Sequence, residues 1–284
     1  MIDEPMNKIS IVTGANSGLG KATARLLVEN NFHVVMVVRN KDKGIKAIKD
    51  LQLKTGKNTM ELMLCDFSSQ KSIRNFVNEF KKKYSRLDLL INNHGAVFDN
   101  KALTEDGLER TFAINYLGFF LLTNLLKDLL ISSSPSKIIN VSSGAYAATK
   151  KWPLQDYNYT SRKFSSFRAY SESKLYCIMF TYYLAKELSS KGITVNAYSP
   201  GFTKTNFGSG SVLMKLSMLI AYPFGKSPLK SAETALYLST SSEVESYSGY
   251  YFENKKIKET SELTHNEILQ KELWGVSEKL VNLK

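Results

Sequence analysis

The sequence predicts an α/β protein, a doubly wound parallel sheet held between two layers of helices, on three observations. Short runs rich in β-branched and aliphatic residues alternate with amphipathic stretches of helical length. Those runs are apolar on both faces, as strands in the middle layer of such a sandwich must be. The first of them, Ile9–Val12, runs directly into a glycine-rich turn that opens a helix. With 284 residues, 43% of them apolar, the chain can bury one large core, and no linker or internal repeat divides it. A single domain spanning 1–284 is expected.

Strand Ile9–Val12 is followed by helix Lys21–Asn30, strand Val34–Val38, helix Lys43–Thr55 and strand Met60–Leu64. The rhythm continues through helix Gln70–Tyr84, strand Leu87–Ile91, a long helix near Gly107–Leu130, strand Lys137–Val141, helix Phe167–Ser189 and strand Ile193–Tyr198. Ser132–Ser136 reads as a loop and Lys150–Ser166 as a polar insertion with aromatic residues. Right-handed crossovers bring the carboxyl ends of the strands to one edge, and ligands bind there, where the strand order reverses.

Composition narrows the function classes. The formal charge is +12, from 38 Lys+Arg against 26 Asp+Glu, but the basic residues are dispersed and Lys81–Lys83 is the one tight run. That pattern suits a phosphorylated small molecule better than a nucleic acid, and no nucleic-acid partner is expected. The two cysteines, Cys65 and Cys177, lie in apolar patterns without metal or redox spacing and are read as reduced, structural thiols. The most apolar stretches, Ala113–Leu126 and Val212–Phe224, are interrupted by Asn115, Asn124 and Lys215 and fall short of the roughly 20 residues a spanning helix needs. Met1–Lys8 carries Asp3 and Glu4 and no apolar segment, so no transmembrane segment and a cytoplasmic location are expected.

The turn Thr13-Gly14-Ala15-Asn16-Ser17-Gly18-Leu19-Gly20 lies between a strand and a helix at the start of a βαβ unit, and its glycines let a pyrophosphate approach the helix N-terminus. Gly14, Asn16, Ser17, Gly18, Leu19 and Gly20 are therefore candidate cofactor contacts, and the fold is Rossmann-like. After the second strand, Arg39 stands where NAD-binding folds commonly carry a carboxylate. Its planar cation, with Lys43 nearby, suits a 2′-phosphate and favours NADP(H). Asp66 is read either as an acceptor for the adenine amino group, with Phe67 beside the ring, or as a helix cap ahead of Ser72. In Asn92-Asn93-His94-Gly95, Asn93 and Gly95 are candidate contacts to the adenosine side, the asparagines tying neighbouring strand ends together.

Tyr170-Ser171-Glu172-Ser173-Lys174 places a phenol and an ammonium four residues apart on one helical face. A phenol with a pKa of about 10 becomes a useful acid or base near neutrality only beside positive charge. Ser143, at the end of strand Lys137–Val141, brings a hydroxyl to the same edge, whereas Ser142 faces the other way. Asn115, in an otherwise apolar helix, needs a buried partner and is a candidate holder of a relay water. The turn after the last strand offers Pro200, Gly201, Thr203 and Thr205 to the nicotinamide carboxamide and phosphates.

In this order, these motifs resemble the short-chain dehydrogenase/reductase family over roughly residues 8–255, and within it the retinol-dehydrogenase-like branch. The branch resemblance is carried by Arg39-Asn40-Lys41-Asp42-Lys43-Gly44, Thr104-Glu105-Asp106-Gly107, Asn115 to Thr123, Ser248 to Phe252 and Leu273 to Ser277. It implies hydride transfer at C4 of a nicotinamide, a catalytic tetrad of Asn115, Ser143, Tyr170 and Lys174, a grip of Tyr170 and Lys174 on the cofactor, and no metal. Two places depart from the family pattern: His94, where alanine is usual, and Phe119-Phe120, near a common histidine-aromatic pattern.

Residues 205–226, rich in Leu, Met, Phe and Tyr, occupy the position of a substrate lid and predict a bulky apolar aldehyde, ketone or alcohol. The same stretch also suits a second subunit, giving a homodimer, or a membrane surface. The nucleotide turn begins too early to leave room for the N-terminal anchor of the branch's membrane-bound members, so a soluble enzyme is expected. Competing readings are a non-catalytic NADP sensor, against which the intact tetrad speaks, and a protochlorophyllide-reductase-like enzyme. The Thr13–Gly20 spacing does not match the T-G-x-x-G-x-x-G of extended epimerases and dehydratases.

Overall fold

The computed structural model describes residues 8–204 and 225–283. Eight strands form one sheet in the order β3-β2-β1-β4-β5-β6-β7-β8. They are β1 (Ile9–Thr13), β2 (His33–Val38), β3 (Met60–Leu64), β4 (Leu89–Asn92), β5 (Ser136–Val141), β6 (Ile193–Ser199), β7 (Tyr251–Glu253) and β8 (Lys256–Ile257). The first seven pair in parallel, and in register Val12 lies beside Ile91, Asn92 beside Asn140 and Val141 beside Tyr198. The carboxyl ends therefore line one edge, with the reversal of strand order between β1 and β4.

Helices α1 (Gly18–Glu29), α2 (Lys41–Thr55) and α3 (Gln70–Lys83) follow the first three strands. The continuous helix α4 (Arg110–Ser132) comes next, then α5 (Ser166–Glu187), α6 (Pro228–Thr240), the short α7 (Glu262–His265) and α8 (Glu267–Leu280). Apolar side chains of α3, α4, α5 and α8 pack on one face of the sheet, around Phe80, Phe120, Tyr176 and Phe180. Those of α1, α2 and α6 pack on the other, around Leu27, Val28, Met36 and Leu238. Trp274 of α8 stacks on Phe180 and Tyr183 and meets Phe120 edge-on, closing the final helix over α4 and α5.

Three features differ from the sequence expectations. The long helix starts at Arg110, not near Gly107, because Gly107 sits at φ +74° in a turn and the Glu109 carboxylate accepts the Thr111 and Phe112 N–H groups as its cap. Its residues Ala113–Leu117 form a π-helical turn. At 23 residues the helix is long and apolar enough to cross a membrane, yet two thirds of that stretch is buried inside the domain. Third, β8 is antiparallel and closes a two-residue hairpin through Asn254 (φ +54°) and Lys255 (φ +64°), a turn whose usual glycine is absent from the sequence.

Candidate active site

The glycine-rich turn closes because it lacks side chains. Gly14 and Gly18 lie at φ +68° and +53°, where a Cβ is strained. A Cβ on Gly14 would come within 3.0 Å of the His94 Cα, and one on Gly20 would collide with the Gly14 carbonyl and the Asn93 amide. Helix α1 opens at Gly18 with Ser17 as its N-cap residue, which makes no side-chain cap bond, and no acidic residue sits in the first turn. Its first N–H groups and the positive end of the helix are thus left to an anionic guest, so the turn fits a pyrophosphate. Ser17 is exposed, Asn16 half-buried, and Leu19 anchors the turn on the core.

Arg39, just past β2, is exposed, as is Lys43 in the first turn of α2, where Asn40 caps the helix by accepting the Lys43 N–H at 2.9 Å. Asp66 is not a helix cap: its Oδ1 accepts the Ser68 N–H at 2.9 Å and hydroxyl at 2.7 Å, and Ser69 caps α3 by accepting the Ser72 N–H. A carboxylate three residues too early satisfies its own turn instead. Phe67 is buried with its ring stacked at 3.5 Å on that of His94, so one ring face is already occupied by protein.

Past β4, side chains bind the strand ends together. Asn92 donates to Thr123 Oγ1 at 2.9 Å and Asn140 Oδ1 at 2.8 Å. Asn93 donates its side-chain amide to Thr13 O at 2.7 Å and its backbone N–H to Thr13 Oγ1 at 2.8 Å. His94 Nδ1 lies 3.0 Å from Thr13 Oγ1 and Nε2 2.8 Å from Ile114 O. A carbonyl only accepts, so Nε2 carries the proton; burial holds the ring's pKa well below the usual histidine value and keeps it neutral. Its edge contact with Phe119, 4.5 Å between centroids, brings the two departures from the family pattern into one cluster. Gly95 follows, half-buried.

Asn115 lies within the π turn. Its Oδ1 accepts the Ala96 N–H at 2.8 Å, and its Nδ2 donates to Ala96 O at 2.9 Å and Ser173 Oγ at 3.2 Å. Both amide hydrogens are committed to protein, which supplies the buried partners this side chain was expected to need. The Asn115 carbonyl accepts the Cys177 thiol at 3.2 Å. Cys177, expected to be a structural thiol, is buried against the site, and burial pushes its pKa up to about 11.

Tyr170, Ser143 and Lys174 come together at the carboxyl end of β5. The Tyr170 hydroxyl is hydrogen-bonded to Ser143; burial pushes the phenol up to about 12, against the lowering effect of that bond. Lys174, 3% exposed, donates Nζ to Val141 O at 2.9 Å and sits 5.6 Å from the Tyr170 ring centroid. Burial lowers its pKa. Ser142 turns away and donates to Lys174 O at 2.9 Å. The arrangement gathers a phenol, a second hydroxyl bonded to it and a lysine ammonium within one small region of the sheet edge.

Pro200 and Gly201 (φ +72°) follow β6 on the same edge, and the Thr203 hydroxyl bonds Ser231 Oγ at 2.8 Å at the start of α6. Thr205 and residues 205–224 of the expected lid lie outside the described residues. A clamp that the sequence reading missed pins the Lys150–Ser166 insertion to α5: Arg162 forks onto Glu172 at 2.8 and 3.2 Å, and Tyr159 donates to the same carboxylate at 2.7 Å. Arg and Glu ten residues apart give no local pattern, so only the fold reveals the pair.

The short chain dehydrogenase family model matches residues 8–214. Retinol dehydrogenase 13 of Mus musculus is 38% identical over 282 residues, covering 97% of this chain and 84% of that protein. Polyprenol dehydrogenase of Homo sapiens is 34% identical over 282 residues, covering 95% and 84%. Among solved structures, an uncharacterized protein from Mycobacterium paratuberculosis superposes with a TM-score of 0.78 at 28% identity, covering 97% of this chain and 93% of that one. An actinorhodin polyketide ketoreductase with NADPH superposes at 0.69 and 23% identity over 87% and 95%, a likeness of fold. With a glycine cradle at the strand-order reversal and a tyrosine, lysine and serine converging beside it, this chain belongs to the short-chain dehydrogenase family and is an oxidoreductase resembling the retinol dehydrogenases.

Proposed function

We propose that the chain is an NADP(H)-dependent oxidoreductase that interconverts apolar aldehydes or ketones and their alcohols, with Tyr170 as the general acid and base. The observation that carries the reading is the meeting of Tyr170, Ser143 and Lys174 at the carboxyl end of β5, on the edge that holds the glycine turn. The retinol and polyprenol names of the relatives support a bulky apolar substrate. NADP(H) is favoured over NAD(H) because exposed Arg39 follows β2 where a ribose-binding carboxylate would stand.

Gly14, Gly18 and Gly20 with the α1 N-terminus would hold the pyrophosphate, Arg39 and Lys43 the 2′-phosphate, Asp66 and Asn93 the adenosine side, and Pro200 to Thr203 the nicotinamide end. Bound there, the dinucleotide supplies or accepts the hydride. In reduction, Tyr170 donates its phenol proton to the carbonyl oxygen while Ser143 holds that oxygen by a hydrogen bond. The Lys174 ammonium lowers the cost of the resulting phenolate. In oxidation the same proton returns to Tyr170.

The test is oxidation of NADPH against NADH, followed optically with retinal and a panel of apolar aldehydes and ketones, with Tyr170→Phe and Arg39→Ala beside the wild type. NADPH-selective turnover that Tyr170→Phe abolishes and Arg39→Ala renders unselective supports the proposal. Tight NADPH binding without turnover on any member of the panel would favour a nucleotide-sensing role, and binding of neither nucleotide would overturn the reading.

A further inference from the structure

The two halves of the site are joined by a series of hydrogen bonds that passes through side chains and through the backbone carbonyls of Ile114 and Tyr170. Thr13, at the end of the strand that enters the glycine turn, meets His94 Nδ1 at 3.0 Å, and His94 Nε2 meets Ile114 O at 2.8 Å. The next residue, Asn115, reaches Ser173 Oγ at 3.2 Å, and Ser173 Oγ donates to Tyr170 O at 2.7 Å. The Cys177 thiol adds a bond from the catalytic helix to the Asn115 carbonyl.

The weak point of this series is the π turn. A π turn shifts the helical hydrogen bonds from the fourth to the fifth residue, and Gly118 N–H accordingly goes to Ala113 O. Carbonyls in the turn need partners from outside the helix, and two of them receive one: Ile114 from His94 and Asn115 from Cys177. His94 is held for this task from three sides. Phe67 stacks on its ring, Phe119 meets it edge-on, and a Cβ on Gly118 would come within 3.3 Å of its Nε2.

We propose that His94 is a positioning residue of the oxidoreductase: by donating Nε2–H to Ile114 O and seating Nδ1 against the Thr13 hydroxyl, it locks the π turn of Asn115 to the nucleotide-turn strand and so sets where Tyr170 meets the cofactor. It touches no reacting atom itself. The inference rests on the proposed activity for its catalytic consequence, whereas its structural consequence, a fixed Asn115–Ala96 pair, is measurable without turnover. A misplacement on the order of 1 Å in such a site costs up to about 100-fold in rate.

The experiment compares wild type, His94→Ala, His94→Gln and His94→Asn. A glutamine amide reaches about as far as Nε2 and keeps the donor; an asparagine amide stops near the Nδ1 position. Hydrogen exchange at the Ala96 amide, which is bonded to Asn115 Oδ1, should quicken at least about tenfold in His94→Ala and His94→Asn and stay near wild type in His94→Gln. Turnover at saturating NADPH and carbonyl, per mole of bound nucleotide, should fall by about 10- to 100-fold in the first two and recover to within a few-fold in the third. If His94→Ala does not fold, His94→Asn carries the same comparison. Unchanged Ala96 exchange in folded His94→Ala or His94→Asn overturns the proposal, as does a lowered melting temperature with turnover per bound nucleotide intact. If wild type itself turns over no carbonyl, the proposed function fails, and the exchange arm still decides whether His94 holds the turn.

Discussion

The glycine turn and the cluster around Tyr170 lie on the same edge of the sheet but are built from opposite materials. The turn is backbone: Gly14, Gly18 and Gly20 work by having no side chain, and the α1 N-terminus offers N–H groups that no cap consumes. The cluster is side chain: Ser143, Tyr170, Lys174, Asn115 and His94 come from four segments, Tyr170 bonded to Ser143 and the others held by hydrogen bonds to the residues packed around them. Adding one carbon should therefore destroy the first, and removing one polar atom the second. Burial also sets their electrostatics apart, since the turn is open to an anion whereas Tyr170, Lys174 and His94 are all pushed towards their neutral forms.

The largest separation of the two regions is expected for Tyr170→Phe. Loss of a general acid costs roughly 10²- to 10⁴-fold in kcat, while NADPH affinity, measured by fluorescence titration, should change by less than about threefold on the scale where 1.4 kcal/mol is tenfold. Gly20→Ala should do the reverse. Its Cβ overlaps the Gly14 backbone and the Asn93 amide, so nucleotide binding should be lost and unfolding free energy should drop by about 1–3 kcal/mol, read by calorimetry.

Direction of reaction sharpens the contrast further. With the phenol pushed up to about 12, kcat/KM for carbonyl reduction should stay flat from about pH 6 to 9, Tyr170 remaining protonated throughout, whereas alcohol oxidation, which needs the phenolate, should rise about tenfold per pH unit. A pH-rate profile in both directions checks this; a rising reduction rate would reassign the acid. The acid side belongs to His94. Its folded pKa lies below its unfolded value of about 6.5. The stability tied to the neutral ring is therefore complete above about pH 6.5 and is lost as pH falls from there towards the folded pKa, at about 1.4 kcal/mol per pH unit. The difference in urea-unfolding free energy between wild type and His94→Gln should show that slope below about pH 6.5 and become independent of pH above it.

The smallest effect separates adjacent serines. Ser142→Ala removes the bond to Lys174 O and should cost about 1 kcal/mol of stability with kcat intact, whereas Ser143→Ala should lower kcat with little change in the melting temperature. Equal kinetic losses in both would show that this edge of β5 acts as a structural unit and not through one hydroxyl.

Much of this was legible in the sequence for a local reason. Strand alternation and the Thr13–Gly20 turn are written in consecutive residues, and Tyr170 and Lys174 four apart share a helical face whatever surrounds them. Of the two readings of Asp66, the helix cap falls because a carboxylate before a helix satisfies the helix or its own turn with equal ease, and Ser69 lay closer. The buried partner that Asn115 needs was legible as a requirement but not by identity, because Ala96 is 19 residues away across a loop. His94 stood out only as a departure from pattern, and Arg162 and Glu172 not at all, because their meaning lies in contacts with other elements.

The sequence by itself determined the order of strands and helices, the glycine cradle and the chemical types at the site, since each depends on neighbours along the chain and on what a residue lacks or carries. The tertiary structure alone decided the π turn at Ala113–Leu117, the neutral tautomer of His94, the commitment of the Asn115 amide and the clamp at Glu172. These depend on which carbonyls are left without partners and which side chains are buried against them, and burial is a property of the packed molecule, not of any segment of it.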